Sequence, residues 1–89
     1  MPAGMSKIEK AKERLKQLPK DYTYTEARNL LKALGFEEWN KGKTSGSRVR
    51  FYRSDDKAII DLHKPHPQDT MKSYMVKDLK SRLIEYGEL

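Results

Sequence analysis

Ser47-Arg48-Val49-Arg50-Phe51-Tyr52-Arg53-Ser54-Asp55-Asp56-Lys57-Ala58-Ile59-Ile60-Asp61-Leu62-His63 is the stretch whose pattern decides the fold class. In residues 47–52, Val49 and Phe51 alternate with Arg48, Arg50 and Tyr52, which is the period of a strand buried on one face. Ser54 to Lys57 supplies the small and acidic residues of a tight turn. Residues 58–63 resume the alternation, with Ala58, Ile60 and Leu62 on one side and Ile59, Asp61 and His63 on the other. A hairpin turning at Asp55–Asp56 places Arg50 opposite Asp61 and Arg48 opposite His63. Slipping the register by one residue would bury the arginines, so only steps of two preserve the pattern. The covered face is then expected to hold Val49, Phe51, Ile60 and Leu62. The open face is expected to present Arg48, Arg50, Tyr52, Asp61 and His63.

Outward from this hairpin the punctuation is mostly helical. Towards the N-terminus, Thr23 and Glu26 have capping-box spacing, in which each side chain satisfies an orphan backbone N–H. Ala27, Leu30, Leu31 and Leu34 continue as an apolar stripe, and Gly35 supplies a left-handed stop. Before that, Ile8, Ala11, Leu15 and Leu18 recur at helical spacing until Pro19 ends the run. Between the second helix and the hairpin, Phe36–Asn40 is a short strand candidate with imperfect alternation, and Lys41–Ser45 is a polar loop. Towards the C-terminus, Met75, Val76, Leu79, Leu83 and Tyr86 mark a helix over roughly residues 71–86, stopped by Gly87. The order is helix, helix, three strands, helix: an α+β fold whose three-stranded antiparallel sheet keeps one face open. Residues 1–6 read as a disordered start, 7–18 as a helical extension and 19–89 as a single domain.

Length and composition bound the function. Eighty-nine residues make one domain with a small core. Apolar and charged residues at 36% each are lean for a globular chain yet not disordered in character. The net charge of +6 suits a polyanionic partner. It is concentrated: residues 41–54 contribute Lys41, Lys43, Arg48, Arg50 and Arg53 without an acid. Basic residues on a strand face make a phosphate-binding surface. With no cysteine, disulfide frameworks, zinc-thiolate sites and thiol catalysis are excluded. No apolar run is long enough for a membrane span or a signal peptide, so the default address is the cytoplasm.

Both histidines lie in Leu62-His63-Lys64-Pro65-His66-Pro67. An imidazole titrates near neutrality and can take and return a proton during phosphodiester cleavage. Lys64 is placed to stabilise charge on phosphate oxygens. The ordinary alternative is a strand-end histidine followed by a polar proline loop. Asp61, His63 and His66 have feasible ligand spacing, but the prolines stiffen the route and no fourth ligand is evident, so no metal site is expected. Lys43-Thr44-Ser45-Gly46-Ser47 offers hydroxyls and amides to a phosphate through Lys43 and Ser47, without the P-loop pattern. The five tyrosines and Trp39 offer rings on which bases can stack, and Tyr52, sharing the arginine face, is the better candidate. Trp39, Tyr74 and Tyr86 are expected in the core, with Met71 and Met75 as core filler.

Four segments together resemble the HicA family of toxin–antitoxin toxins. They are Pro19-Lys20-Asp21-Tyr22-Thr23, Leu30-Leu31-Lys32-Ala33-Leu34-Gly35-Phe36, Gly46-Ser47-Arg48-Val49-Arg50-Phe51 and Leu62-His63-Lys64-Pro65-His66-Pro67. The C-terminal Leu83 to Leu89 fits the same ending. The resemblance implies a fold similar to the double-stranded-RNA-binding domain. It also implies a metal-independent endoribonuclease, without cofactor, that cuts messenger RNA (mRNA) and is held inactive by a HicB-type antitoxin. The family motif places a catalytic histidine one or two positions after Gly-Ser, where this chain has Arg48 and Val49. Proton transfer is then expected from His63 or from His66, with Arg48, Arg50 and Lys64 on the phosphate. The rival expectations are an RNA-binding module that does not cut, or a protein that only docks its antitoxin.

Overall fold

The computed structural model describes residues 6–39 and 48–89. Three helices and a three-stranded antiparallel sheet follow the expected order: α1 (Lys7–Lys16), α2 (Tyr24–Ala33), β1 (Glu37–Trp39), β2 (Arg48–Arg53), β3 (Ala58–His63) and α3 (Ser73–Glu85). The strands lie in the order β1-β2-β3. The first two helices begin at capping boxes. Ser6, at the end of the leading segment, forms a capping box with Glu9 at the start of α1, and Thr23 forms one with Glu26 at the start of α2. Gly35 follows α2 with φ +97°, a conformation that side chains with a Cβ rarely adopt.

The hairpin register is the one that alternation with a turn at Asp55–Asp56 predicts. Arg48 pairs with His63, Val49 with Leu62, Arg50 with Asp61, Phe51 with Ile60 and Tyr52 with Ile59. Phe51, Ile60 and Leu62 are buried, and Val49 is half-buried against the same core. That core is completed by Leu15 of α1, Leu30 and Leu31 of α2, and Val76, Leu79 and Leu83 of α3, together with Tyr22 and Phe36. Each such side chain contributes about 1.5–3 kcal/mol by leaving water. Met71 and Met75 are buried as expected.

Two aromatic residues correct the sequence reading. Trp39 and Tyr74, expected in the core, are 40% and 65% exposed. Phe36 is buried, and three residues on along an extended chain Trp39 has the opposite parity, so it falls on the open face. Tyr74 lies in the first turn of α3, off the stripe formed by Met75, Val76, Leu79 and Leu83. Tyr86 is half-buried: its ring meets Phe36 at 6.5 Å. Its hydroxyl accepts from the Ile59 N–H (3.3 Å) and donates to the Ile59 carbonyl (3.0 Å), covering part of the β3 edge.

Arg53 is buried although charged. It shares the parity of Phe51, so its guanidinium points to the helix side. There Nε and Nη2 donate to Asp56 at 3.0 and 2.7 Å. Nη1 donates to the Leu34 carbonyl (2.9 Å) and to Glu88 (2.7 Å), and the group lies 4.7 Å from the Phe36 ring centroid. A Cβ at Gly35 would come within 3.3 Å of the Arg53 side chain. One side chain thus joins β2, the end of α2 and the C-terminal tail.

Candidate nucleic-acid interface and catalytic groove

The open face is built in rows across the strands. Glu37, Tyr52 and Ile59 form one row, Trp39, Arg50 and Asp61 the next, and Arg48 and His63 the last. Arg50 and Asp61 form a two-pronged pair, Nε to Oδ1 at 2.9 Å and Nη2 to Oδ2 at 3.2 Å. The Arg50 hydrogen bonds hold the Asp61 carboxyl below the usual carboxylate range, and the charges of Arg50, Arg48 and Arg82 add to this. Asp61 is therefore a fixed anion within the basic face, and its partner Arg50 is raised above the ordinary arginine value. The middle row is locally neutralised, while Arg48 and His63 stand exposed at its end.

From His63 the chain enters a loop that the sequence marked by its prolines. Exposed His63, Lys64 and His66 line one groove of about 560 Å³, together with Thr70, Lys72 and Tyr74 around the start of α3. Lys64 also lines a second groove, of about 380 Å³, shared with Tyr24, Arg28, Glu38, Val49 and Asp69. What holds this loop in place is backbone pairing that sequence periodicity does not reveal. Tyr24 N–H donates to the Asp69 carbonyl (2.7 Å), and Met71 N–H donates to the Tyr22 carbonyl (2.8 Å). Thr23 and Thr70 form an isolated antiparallel bridge, and the Asp69 carboxylate accepts from Thr25 N–H at 3.2 Å. The loop carrying both histidines is thus clipped at its far end to the start of α2.

The structure brings His63, Lys64 and His66 to one groove and puts Arg48, Arg50 and Tyr52 on the adjoining face. Lys43 and Ser47 lie outside the described residues. Lys72, and Tyr74 that the sequence reading puts in the core, also line this groove, and no local sequence pattern marks either for it. Among the described residues, no group of three or more His, Asp or Glu is placed to hold a metal ion. No helix among them is long and apolar enough to cross a membrane.

A family model described as the HicA toxin of bacterial toxin-antitoxin systems matches residues 24–84, from the first residue of α2 to the last turn of α3. The chain belongs to the HicA toxin family. It is accordingly a toxin of a toxin–antitoxin system, a setting that implies an antitoxin partner. Searches of curated proteins and of solved structures return no match. The matched span leaves α1 outside. That helix is nonetheless packed on the rest: Leu15 is buried, Arg14 pairs with Glu26 and Asp21, and Lys80 of α3 donates to the Lys16 carbonyl at 2.9 Å.

Proposed function

We propose that this HicA-family toxin is a metal-independent endoribonuclease that cuts mRNA, thereby inhibiting translation, with His63 as its principal proton carrier. The observation that carries this reading is the direct opposition of Arg48 and His63 across β2 and β3. His63 also lines the groove that holds Lys64 and His66. A cation beside an imidazole, with a second imidazole on the same groove, is the set that cyclising RNA cleavage requires. His63 takes the proton from a ribose 2′-hydroxyl as its oxygen attacks the adjacent phosphorus. Arg48 and Lys64 stabilise the charge that builds on the non-bridging oxygens. His66 protonates the departing 5′-oxygen as the P–O5′ bond breaks. The products are a 2′,3′-cyclic phosphate and a free 5′-hydroxyl. DNA lacks the attacking hydroxyl and is not a substrate. Arg50 serves this face through its pair with Asp61, and Lys43 and Ser47 extend the phosphate contacts. A HicB-type antitoxin silences the toxin by occupying the same basic surface.

The test is cleavage of a single-stranded RNA in EDTA by wild type, His63→Ala and His66→Ala. Loss of cutting in His63→Ala, with cyclic-phosphate ends in the wild-type products, is the expected result. A second reading draws on one specific feature, Arg48 standing where the family motif has a histidine. On that reading the chain binds RNA, or only its antitoxin, without cutting. Intact RNA recovered from a salt-sensitive complex would favour it.

A further inference from the structure

Trp39 lies exposed on the sheet face that no helix among the described residues covers. Its indole meets the Tyr52 ring at 5.7 Å between centroids, with the planes inclined at 52°. Ile59, 36% exposed, lies opposite Tyr52 on the next strand and continues the same apolar patch. On one flank of this patch is the Arg50–Asp61 pair, and one row further on is Arg48 with His63. Strand spacing and rise put the rings roughly 12 Å from His63. A short run of extended nucleotides bridges that distance.

We propose that Trp39 and Tyr52 form a stacking platform for an unpaired base, so that the open face selects single-stranded RNA and feeds it towards Arg48 and His63. The identity of the polymer rests on the ribonuclease reading above; the platform itself rests on the rings. Aromatic side chains bind bases of any sequence because every base offers a π-face. In a duplex those faces are covered by neighbouring base pairs, and side chains meet chiefly phosphates and ribose hydroxyls. An aromatic pair set among cations therefore discriminates by strandedness. The adjoining charge supplies the complementary term, since Arg48 and Lys64 lie on the route the phosphates would take. This assignment sets the chain apart from a duplex binder, which its resemblance to the double-stranded-RNA-binding domain would otherwise suggest.

Trp39 is the only tryptophan in the chain, so its fluorescence reports the platform directly. The probe is a short 2′-O-methyl RNA, which lacks the free hydroxyl and cannot be cut, used single-stranded and annealed to its complement. Saturable quenching by the single strand is expected, with much weaker quenching by the duplex. Trp39→Ala should bind the single strand roughly tenfold more weakly by anisotropy, with Trp39→Phe recovering most of the loss. Because the side chain is not part of the core, circular dichroism should show both variants folded. Equal quenching by the duplex would overturn the proposal, as would an absence of quenching. Unchanged affinity in a folded Trp39→Ala variant would also overturn it. Cleavage of unmodified RNA, measured alongside, separates the two readings. Cutting without quenching removes the platform and leaves the nuclease; quenching without cutting removes the nuclease and leaves the platform.

Discussion

Arg48 in β2 and His63 in β3 are directly opposed residues, the last rung of the hairpin before the chain leaves the sheet. Directly opposite side chains in an antiparallel pair have Cβ atoms about 5 Å apart. An imidazole and a guanidinium held at that spacing can act on neighbouring atoms of one phosphodiester. Neither position depends on a loop for its placement, because both belong to strands whose other face is locked into the core by Phe51, Ile60 and Leu62.

On the ribonuclease reading, removing each partner has a different signature. His63→Ala is expected to lower the cleavage rate about 100-fold or more, the usual contribution of a positioned acid–base group. Arg48→Ala should lower both rate and RNA affinity. Arg48→Lys should restore affinity more than rate, since an ammonium keeps the charge but not the planar fork. Single-turnover cleavage and filter binding give the two quantities separately. A His63→Ala variant that cuts at the wild-type rate would remove His63 from the chemistry.

Asp61 restrains the basic face. It ties up the Arg50 guanidinium, and both side chains are exposed to solvent, so the pair itself adds little to stability. Asp61→Asn is expected to leave the melting temperature nearly unchanged while releasing Arg50 for phosphate. Affinity for single-stranded RNA should rise, and the log–log salt slope should steepen by about 0.7, the share of one added contact. An unaltered slope would mean that freeing Arg50 from Asp61 adds no phosphate contact.

Much of this was legible in the sequence, and the rest was hidden for identifiable reasons. The Arg48–His63 and Arg50–Asp61 pairs follow from alternation in residues 47–63 together with a turn at Asp55–Asp56: alternation permits only register steps of two, and the turn selects among them. Thr23 and Glu26 announced their helix through capping chemistry. Trp39 reads as core from its size and apolar character, whereas its parity relative to Phe36 points outward. Arg53 could have been flagged by the same parity, since it falls in step with Phe51. The pairing of residues 22–24 with 69–71 had no local signal, because it joins segments distant in the chain through backbone groups that every sequence carries. Both histidines were singled out by their chemistry, but their common groove depends on that pairing.

Arg53 should be the costliest polar side chain to remove. Its side chain is only 10% exposed and satisfies Asp56, Glu88 and the Leu34 carbonyl at once. Arg53→Met keeps the bulk and deletes the charge, leaving the Leu34 carbonyl without this donor, Asp56 with only the Ala58 N–H and Glu88 with only Lys12. A loss of about 2–3 kcal/mol is expected, read from urea denaturation. Glu88→Gln, which removes one charge but keeps an acceptor, should cost less than half of that. A neutral Arg53→Met would show that the cluster contributes nothing net.

The Tyr22 hydroxyl makes the opposite case. It is buried with no hydrogen-bond partner among the described residues. Burial first, and then the nearby Glu26 charge, push its phenol well above the ordinary tyrosine value. Tyr22→Phe deletes an unsatisfied group while keeping the ring, so stability should be unchanged or higher by about 1 kcal/mol. A clear loss in the denaturation midpoint would reveal a partner for the hydroxyl.

Glu26 links α1 to the domain and makes that link sensitive to acid. Its carboxylate receives Arg14 from α1 together with the Thr23 backbone and hydroxyl. The Arg14 hydrogen bond is the main reason that its pKa lies below the ordinary value of 4.5. A carboxyl depressed in the folded state stabilises fully above its unfolded pKa, and that contribution is lost as pH falls through the lowered folded value. Glu26→Gln keeps the side chain's acceptor for the cap and abolishes the titration. At neutral pH the variant should be less stable than wild type by about 1 kcal/mol or less, since the pair is partly exposed. The gap should close progressively below pH ~4.5 and vanish once wild-type Glu26 is protonated. Urea midpoints measured across that window test this, and a gap that stays constant with pH would show that the capping geometry, rather than the charge, makes the link.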